Sequence, residues 1–295
     1  MKPWFSITYF TLTLLAFICH IIGLVVLWRV KSPAVNQRII IINLALTELL
    51  FCANQLAYYA EKKIFSPPSV SSVKVNQTLR SIVHTANKLV MIHLTLDRFA
   101  DIYLNLKYAL HFSRERVIKI LSAIWIVSIV YGVTLGIIME VFTPTSTYPR
   151  VHYQVTIPVS IVLDIIITLS AIGTYSYLFY KVRSIMNRDT SSNGNNTENK
   201  RSHPSLKFLV PFLMIATYLA FNVSGTVISI ISDTLYANSK TGHWLFHVSW
   251  LMIGFGYLTD AILYIFLQKD VRSFITSFIT CKRGSINRSS AVYPS

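Results

Sequence analysis

Apolar residues run through this chain in seven long blocks separated by short polar segments. The blocks are Phe5–Val30, Ile39–Ala60, Asn76–Tyr103, Val117–Glu140, Thr156–Lys181, Leu206–Ser232 and Trp244–Leu267. Each is long enough to cross a bilayer as a helix, which takes ~20 residues. The connecting segments are short, as between antiparallel neighbours. The longest, Val182–Ser205, is polar and reads as a flexible loop. After the seventh block, "QKDVRSFITSFITCKRG" has the composition of an amphipathic helix lying on a membrane surface. The pattern predicts an all-α membrane protein: a seven-transmembrane helix bundle over residues 1–267, a short amphipathic eighth helix over 268–281, and a short cytoplasmic tail over 282–295. No internal repeat or second domain is visible.

The third block is the least apolar, because Arg80, His84, Asn87, Lys88 and His93 interrupt it. Arg80 and Arg98 lie five helical turns apart on one face, separated by ~27 Å along the axis. His84, Lys88 and Thr95 fall within about 80° of that line, with Asn87 just across it. Ile82, Leu89 and Leu96 take the opposite face. A polar stripe in hydrocarbon must face protein or trapped water. The third helix is therefore expected at the centre of the bundle with its stripe turned inward. At one end of the stripe, in "LTLDRFADIY", Asp97–Arg98 forms a latch: a guanidinium held by its own neighbouring carboxylate and able to exchange it for another group.

Composition agrees with a membrane class. With 53% hydrophobic and 13% charged residues, and mean hydropathy +0.51, the chain lacks the ~25% charged residues of a soluble domain. The net charge of +15 does not point to nucleic acid, because the basic residues sit in the short segments between apolar blocks. Of 27 Lys and Arg, 19 fall on the side that holds Arg98 and seven on the other. The richer side is expected to be cytoplasmic. The N-terminus is then extracellular and the C-terminus cytoplasmic, in a multi-pass plasma-membrane protein. On the outer side, Asn76-Gln77-Thr78 is an N-glycosylation sequon very close to the membrane. Cys281, beside Lys282-Arg283, is a candidate palmitoylation site. Cys19 and Cys52 lie within apolar blocks, so no structural disulfide is expected. The chain holds no H-E-x-x-H and no G-x-S-x-G, so it is not read as an enzyme, and no cofactor or metal is called for.

Six short motifs, in order and at the right depth in the seven spans, resemble those of class A (rhodopsin-like) G-protein-coupled receptors along nearly the whole chain. "NLALTELL" at Asn43–Leu50 looks like N-L-A-x-x-D, with Glu48 in the place of the aspartate. "LTLDRF" looks like D-R-Y, with Phe99 for tyrosine. Trp125 matches the tryptophan of the fourth helix, and Tyr175 in "TYSYLFYKV" the tyrosine of the fifth. "TYLAF" at Thr217–Phe221 aligns with C-W-x-P-F, and "DAILYIFLQKDVR" at Asp260–Arg272 with N-P-x-x-Y and the eighth helix, Tyr264 being the motif tyrosine. The chain also departs from the pattern. Leu24 replaces the first-helix asparagine, and Ala220 and Ala261 replace prolines, so both kinks are expected to be weaker. Tyr218 replaces the helix-six tryptophan. The cysteine that usually ties the third helix to the second outer loop is missing near Val73.

What the resemblance implies is a receptor that passes an extracellular ligand signal to a heterotrimeric G protein. Asp97, Arg98, Tyr175 and Tyr264 would form the coupling end. Arg80 stands where amine receptors carry their aspartate, and Gly254 where opsins carry the retinal lysine. An amine ligand and retinal are therefore not expected. Arg80 and His84 instead offer positive charge to an acid or other anion, with Tyr218, Phe221, Asn222, His247 and Trp250 lining the same cavity by helical position. A central polar cluster of Glu48, Asn87, Lys88, Asp164 and Asp260 is expected mid-bundle, with Lys88 as a tethered cation paired to Glu48 or Asp260, and Asp164 as the competing partner. The same buried charges leave open an ion or proton transporter or channel, and the altered motifs a receptor-like membrane protein that does not signal.

Overall fold

The computed structural model describes residues 3–29, 35–64, 70–104, 108, 112–142, 148–191, 213–235 and 239–266. Among these, seven helices follow the seven apolar blocks: α1 (Pro3–Arg29), α2 (Val35–Ile64), α3 (Val70–Leu104), α4 (Arg114–Phe142), α5 (Tyr148–Ser191), α6 (213–235) and α7 (Lys240–Phe266). The expected eighth helix and the tail lie outside the described residues. The polar loop expected from Val182 begins later, because α5 continues to Ser191. Its Arg, Ile and Met residues are compatible with helix even where no apolar block continues.

Six of the helices are long and apolar enough to cross a membrane. The exception, α3, carries the polar stripe, and it sits where that stripe can be covered: it packs against α2, α4 and α5. Ring closure comes from α1, which packs on both α2 and α7, and from α6, which runs along α7. The core is apolar around α3, with Leu44, Val90, Met91, Leu94, Val117 and Ile167 buried together. The outer faces are apolar as well, as a lipid-facing surface requires: Val25, Ile126, Val130, Ile165 and Leu169 are exposed.

Two local features set the spacing of the bundle. On α4, Gly132 and Gly136 lie one turn apart against α3. A Cβ on Gly132 would stand 2.3 Å from Ile82 Cγ1, and one on Gly136 2.6 Å from Thr78 Oγ1. Glycine lets the two backbones approach, the usual device for helix packing in lipid. On α6, Tyr218–Val223 form a π turn. The sequence lacks the proline there and predicts a more regular helix, but a π turn is an independent source of irregularity. It buries both Tyr218 and Asn222. It also lies against Gly256 of α7, where a Cβ would meet Asn222 Nδ2 at 2.9 Å and Phe221 Cβ at 3.1 Å.

Candidate functional site

The inward stripe of α3 organises three polar layers. The first is a partly open cavity of about 780 Å³, including the part open to solvent. α3 lines it with Arg80, His84 and Lys88, α5 with Thr156 and Ser160, α6 with Thr226 and Ser229, and α7 with Ser249 and Trp250. The Arg80 guanidinium carbon lies 4.0 Å from the centre of the Trp250 ring, a cation–π contact that orients the charge in a partly desolvated place. Lower down, His84 Nε2 is 3.3 Å from Ser160 Oγ.

The floor is an ion pair. Lys88 Nζ is 2.6 Å from Asp164 Oδ1, with side-chain exposures of 2% and 6%. The ammonium also donates to Ser160 Oγ at 2.6 Å and to the Ser160 carbonyl at 3.2 Å. A buried charge needs both a counter-ion and hydrogen bonds, and Lys88 has both. Asp164 in turn accepts from Tyr218 Oη at 2.9 Å, which joins α5 to the π turn of α6. The central-cluster expectation is thus corrected in its pairing. The partner of Lys88 is Asp164, the competitor, because the ammonium points toward α5.

The second layer collects the other acids. Glu48 Oε2 lies 3.3 Å from His20 Nε2, both fully buried. Asn87 donates to Thr47 Oγ1 at 3.1 Å and to Glu48 Oε1 at 3.4 Å. Asp260 accepts from Thr217 Oγ1 at 2.7 Å. His20 was missed by sequence reasoning. Its signal is a lone imidazole in an otherwise apolar helix, one turn before Leu24.

The third layer lies at the other end of α3. Asp97 is fully buried and Arg98 nearly so. Arg98 Nε donates to Asp97 Oδ2 at 3.1 Å, and Nη2 bonds the same oxygen. Nη1 reaches Gln37 Oε1 of α2 and Asp101 Oδ2, each at 3.3 Å. Tyr108, in the following connection, donates to Asp97 Oδ1. Burial and the neighbouring Asp97 carboxylate push the Tyr108 phenol up, so it stays a donor. Asp101, Gln37 and Tyr108 were not expected. The i,i+3 spacing of Arg98 and Asp101 could have found one of them.

Of the residues expected around a ligand, Arg80, His84 and Trp250 line the cavity. Tyr218, Phe221, Asn222 and His247 are not among its lining. Tyr218 is beneath it on Asp164, Phe221 and Asn222 face Gly256, and His247 packs on the Phe5 ring at 4.2 Å. The first three belong to the π turn. Tyr175 packs against the apolar core around α3. The Tyr264 side chain and Cys281 lie outside the described residues. Asn76 is only 9% exposed, and its Nδ2, the atom a glycan would occupy, donates to the Asn54 carbonyl at 3.2 Å and Oδ1 at 3.1 Å. The sequon is packed between α2 and α3. Trp125 Nε1 donates to Asn43 Oδ1 at 3.3 Å, bringing two motif residues together across α4 and α2. Cys19 and Cys52 are free thiols.

The sequence profile of the 7 transmembrane receptor (rhodopsin family) matches residues 19–262. That stretch contains all three polar layers. No curated protein matches the chain.

Proposed function

The chain belongs to the rhodopsin family of seven-transmembrane receptors, and from that premise we propose that it passes an extracellular ligand signal to a heterotrimeric G protein. It is a multi-pass membrane protein, read here as a receptor rather than an enzyme, with its N-terminus outside and its C-terminus in the cytoplasm. The observation that carries this reading is the arrangement along α3. A cavity with two cationic side chains lies toward one end and a buried, exchangeable Arg98 latch at the other. In this reading ligand binding shifts a two-state bundle. Arg98 then gives up Asp97 and Asp101, and the opened end accepts the G protein. The ligand is not an amine, because the lining of the cavity offers cations and hydroxyls. The experiment is a panel of G-protein activation assays on cells expressing the chain, with and without tissue extract. Activation of at least one G protein that depends on the chain supports the reading, and no response across the panel, with the protein at the surface, refutes it.

A further inference from the structure

The ion pair beneath the cavity is divided: its base lines the cavity and its acid does not. Lys88 is on the cavity wall, whereas Asp164 is behind it, with Nζ and Oδ1 2.6 Å apart. Among the described residues the lining holds Arg80, His84 and Lys88 and no Asp or Glu. Its remaining polar groups are mostly hydroxyls, such as Ser81, Thr85 and Ser160. An anion inside the cavity meets donors at every depth of this lining. Lys88 lies ~12 Å along α3 beyond Arg80, at the deep end of that path. There an entering carboxylate is the same chemical group as the one Lys88 already holds. Asp164 Oδ1 also holds Tyr218 Oη at 2.9 Å, on the π turn of α6. Whatever takes Lys88 from Asp164 alters the hold of α5 on α6.

We propose that the cavity binds a small organic carboxylate, which replaces Asp164 as the partner of Lys88 and thereby frees the Asp164–Tyr218 link to shift α6. The exchange keeps the ammonium paired and transfers the unpaired position to Asp164, a buried carboxylate left with Tyr218 as its donor, and the contacts of the incoming carboxylate must offset that cost. A neutral amide can use the hydroxyls but cannot displace a carboxylate from an ammonium. An amine finds no acid in the lining. The binding half of this inference stands by itself, and the signalling half rests on the receptor reading above.

The test uses the full chain in lipid nanodiscs, as wild type and Asp164→Asn, with acetate, hexanoate and benzoate as probes and their primary amides as matched controls. Thermal unfolding and direct titration are read. Carboxylates are expected to raise Tm and the amides to leave it unchanged. Asp164→Asn removes the internal competitor and is expected to bind carboxylates about tenfold more tightly, a typical coupling between linked sites. Amides that bind as well as carboxylates overturn the proposal. So does equal carboxylate affinity in both proteins, or no carboxylate effect in either. Should Asp164→Asn fail to fold, Tyr218→Phe takes its place: it keeps the ion pair, so it is expected to keep carboxylate affinity and to lose carboxylate-driven G-protein activation. Retained activation removes the link to α6. Carboxylate binding with the Asp164→Asn gain but no activation of any G protein defeats the receptor reading and leaves the exchange site standing. Activation by tissue extract without carboxylate binding does the reverse.

Discussion

Replacing Lys88 by methionine keeps most of the length of the side chain and removes its charge. In the structure Asp164 would then be left buried, with Tyr218 Oη at 2.9 Å as its remaining donor. Breaking one side of a buried pair costs about 3–5 kcal/mol. The retained hydrogen bond offsets about 1 kcal/mol, so Lys88→Met is expected to destabilise by about 2–4 kcal/mol. Asp164→Leu strands the ammonium and is expected to cost at least as much. Together the two substitutions replace an ion pair by apolar residues, a change that is often neutral or stabilising. The double variant is expected to recover more than half of the summed loss. The assay is a double-mutant cycle on unfolding in one lipid nanodisc composition, with all four proteins measured side by side. Additive losses would refute the reasoning, since they would mean that the 2.6 Å contact contributes no coupling energy.

Other perturbations have equally definite outcomes. Gly132→Ala places a methyl 2.3 Å from Ile82 Cγ1 and 3.1 Å from its backbone nitrogen and is expected to lower stability by about 1–3 kcal/mol; Gly173→Ala, with nothing within 4 Å, is expected to be neutral or to stabilise by up to about 1 kcal/mol, both read by thermal unfolding. Arg98→Ala is expected to keep surface expression and reduce G-protein activation, whereas Asp101→Asn, which removes one of two acids holding the guanidinium, is expected to raise ligand-free activation. Endoglycosidase treatment is expected to leave electrophoretic mobility unchanged, because Asn76 Nδ2 is engaged in packing. A protease-sensitive tag at the C-terminus is expected to be cut only after cells are permeabilised, following the 19-to-seven asymmetry of basic residues.

The helices were legible because each apolar block is long and the rule connecting block length to bilayer thickness is nearly one-to-one. The central place of α3 was legible for a related reason: Arg80, His84, Lys88 and Arg98 cannot face hydrocarbon, and only a helix enclosed by others can carry them. Pairing was harder to read. The sequence places Glu48, Asp164 and Asp260 near the depth of Lys88, and choosing among three acids depends on helix rotations that no spacing supplies. The π turn was invisible for the opposite reason. Tyr218–Val223 contains neither proline nor glycine, so no local signal marked it, and Tyr218, Phe221 and Asn222 within it are absent from the cavity lining. Gly225 and Gly256 permit close approach of α6 and α7, which only their neighbours in space reveal.

The three layers differ in what they fasten to α3. Arg80 is held by Trp250 of α7, Lys88 by Asp164 of α5, Asn87 by Thr47 and Glu48 of α2, and Arg98 by Gln37 of α2 and by acids of α3 itself. A translation of α3 by one turn would unmake bonds to three different helices at once. α6 is tied differently. Tyr218 reaches Asp164 of α5 and Thr217 reaches Asp260 of α7, and these two adjacent residues sit at the edge of the π turn. A rotation of α6 about that point can exchange both bonds while Arg80 keeps Trp250 and Asn87 keeps Thr47 and Glu48. Bundles that switch do so where interactions are few and exchangeable, not where they are many and buried. In the proposed switch α3 is therefore the frame, and α6, tied to α5 through Tyr218, is the part expected to move.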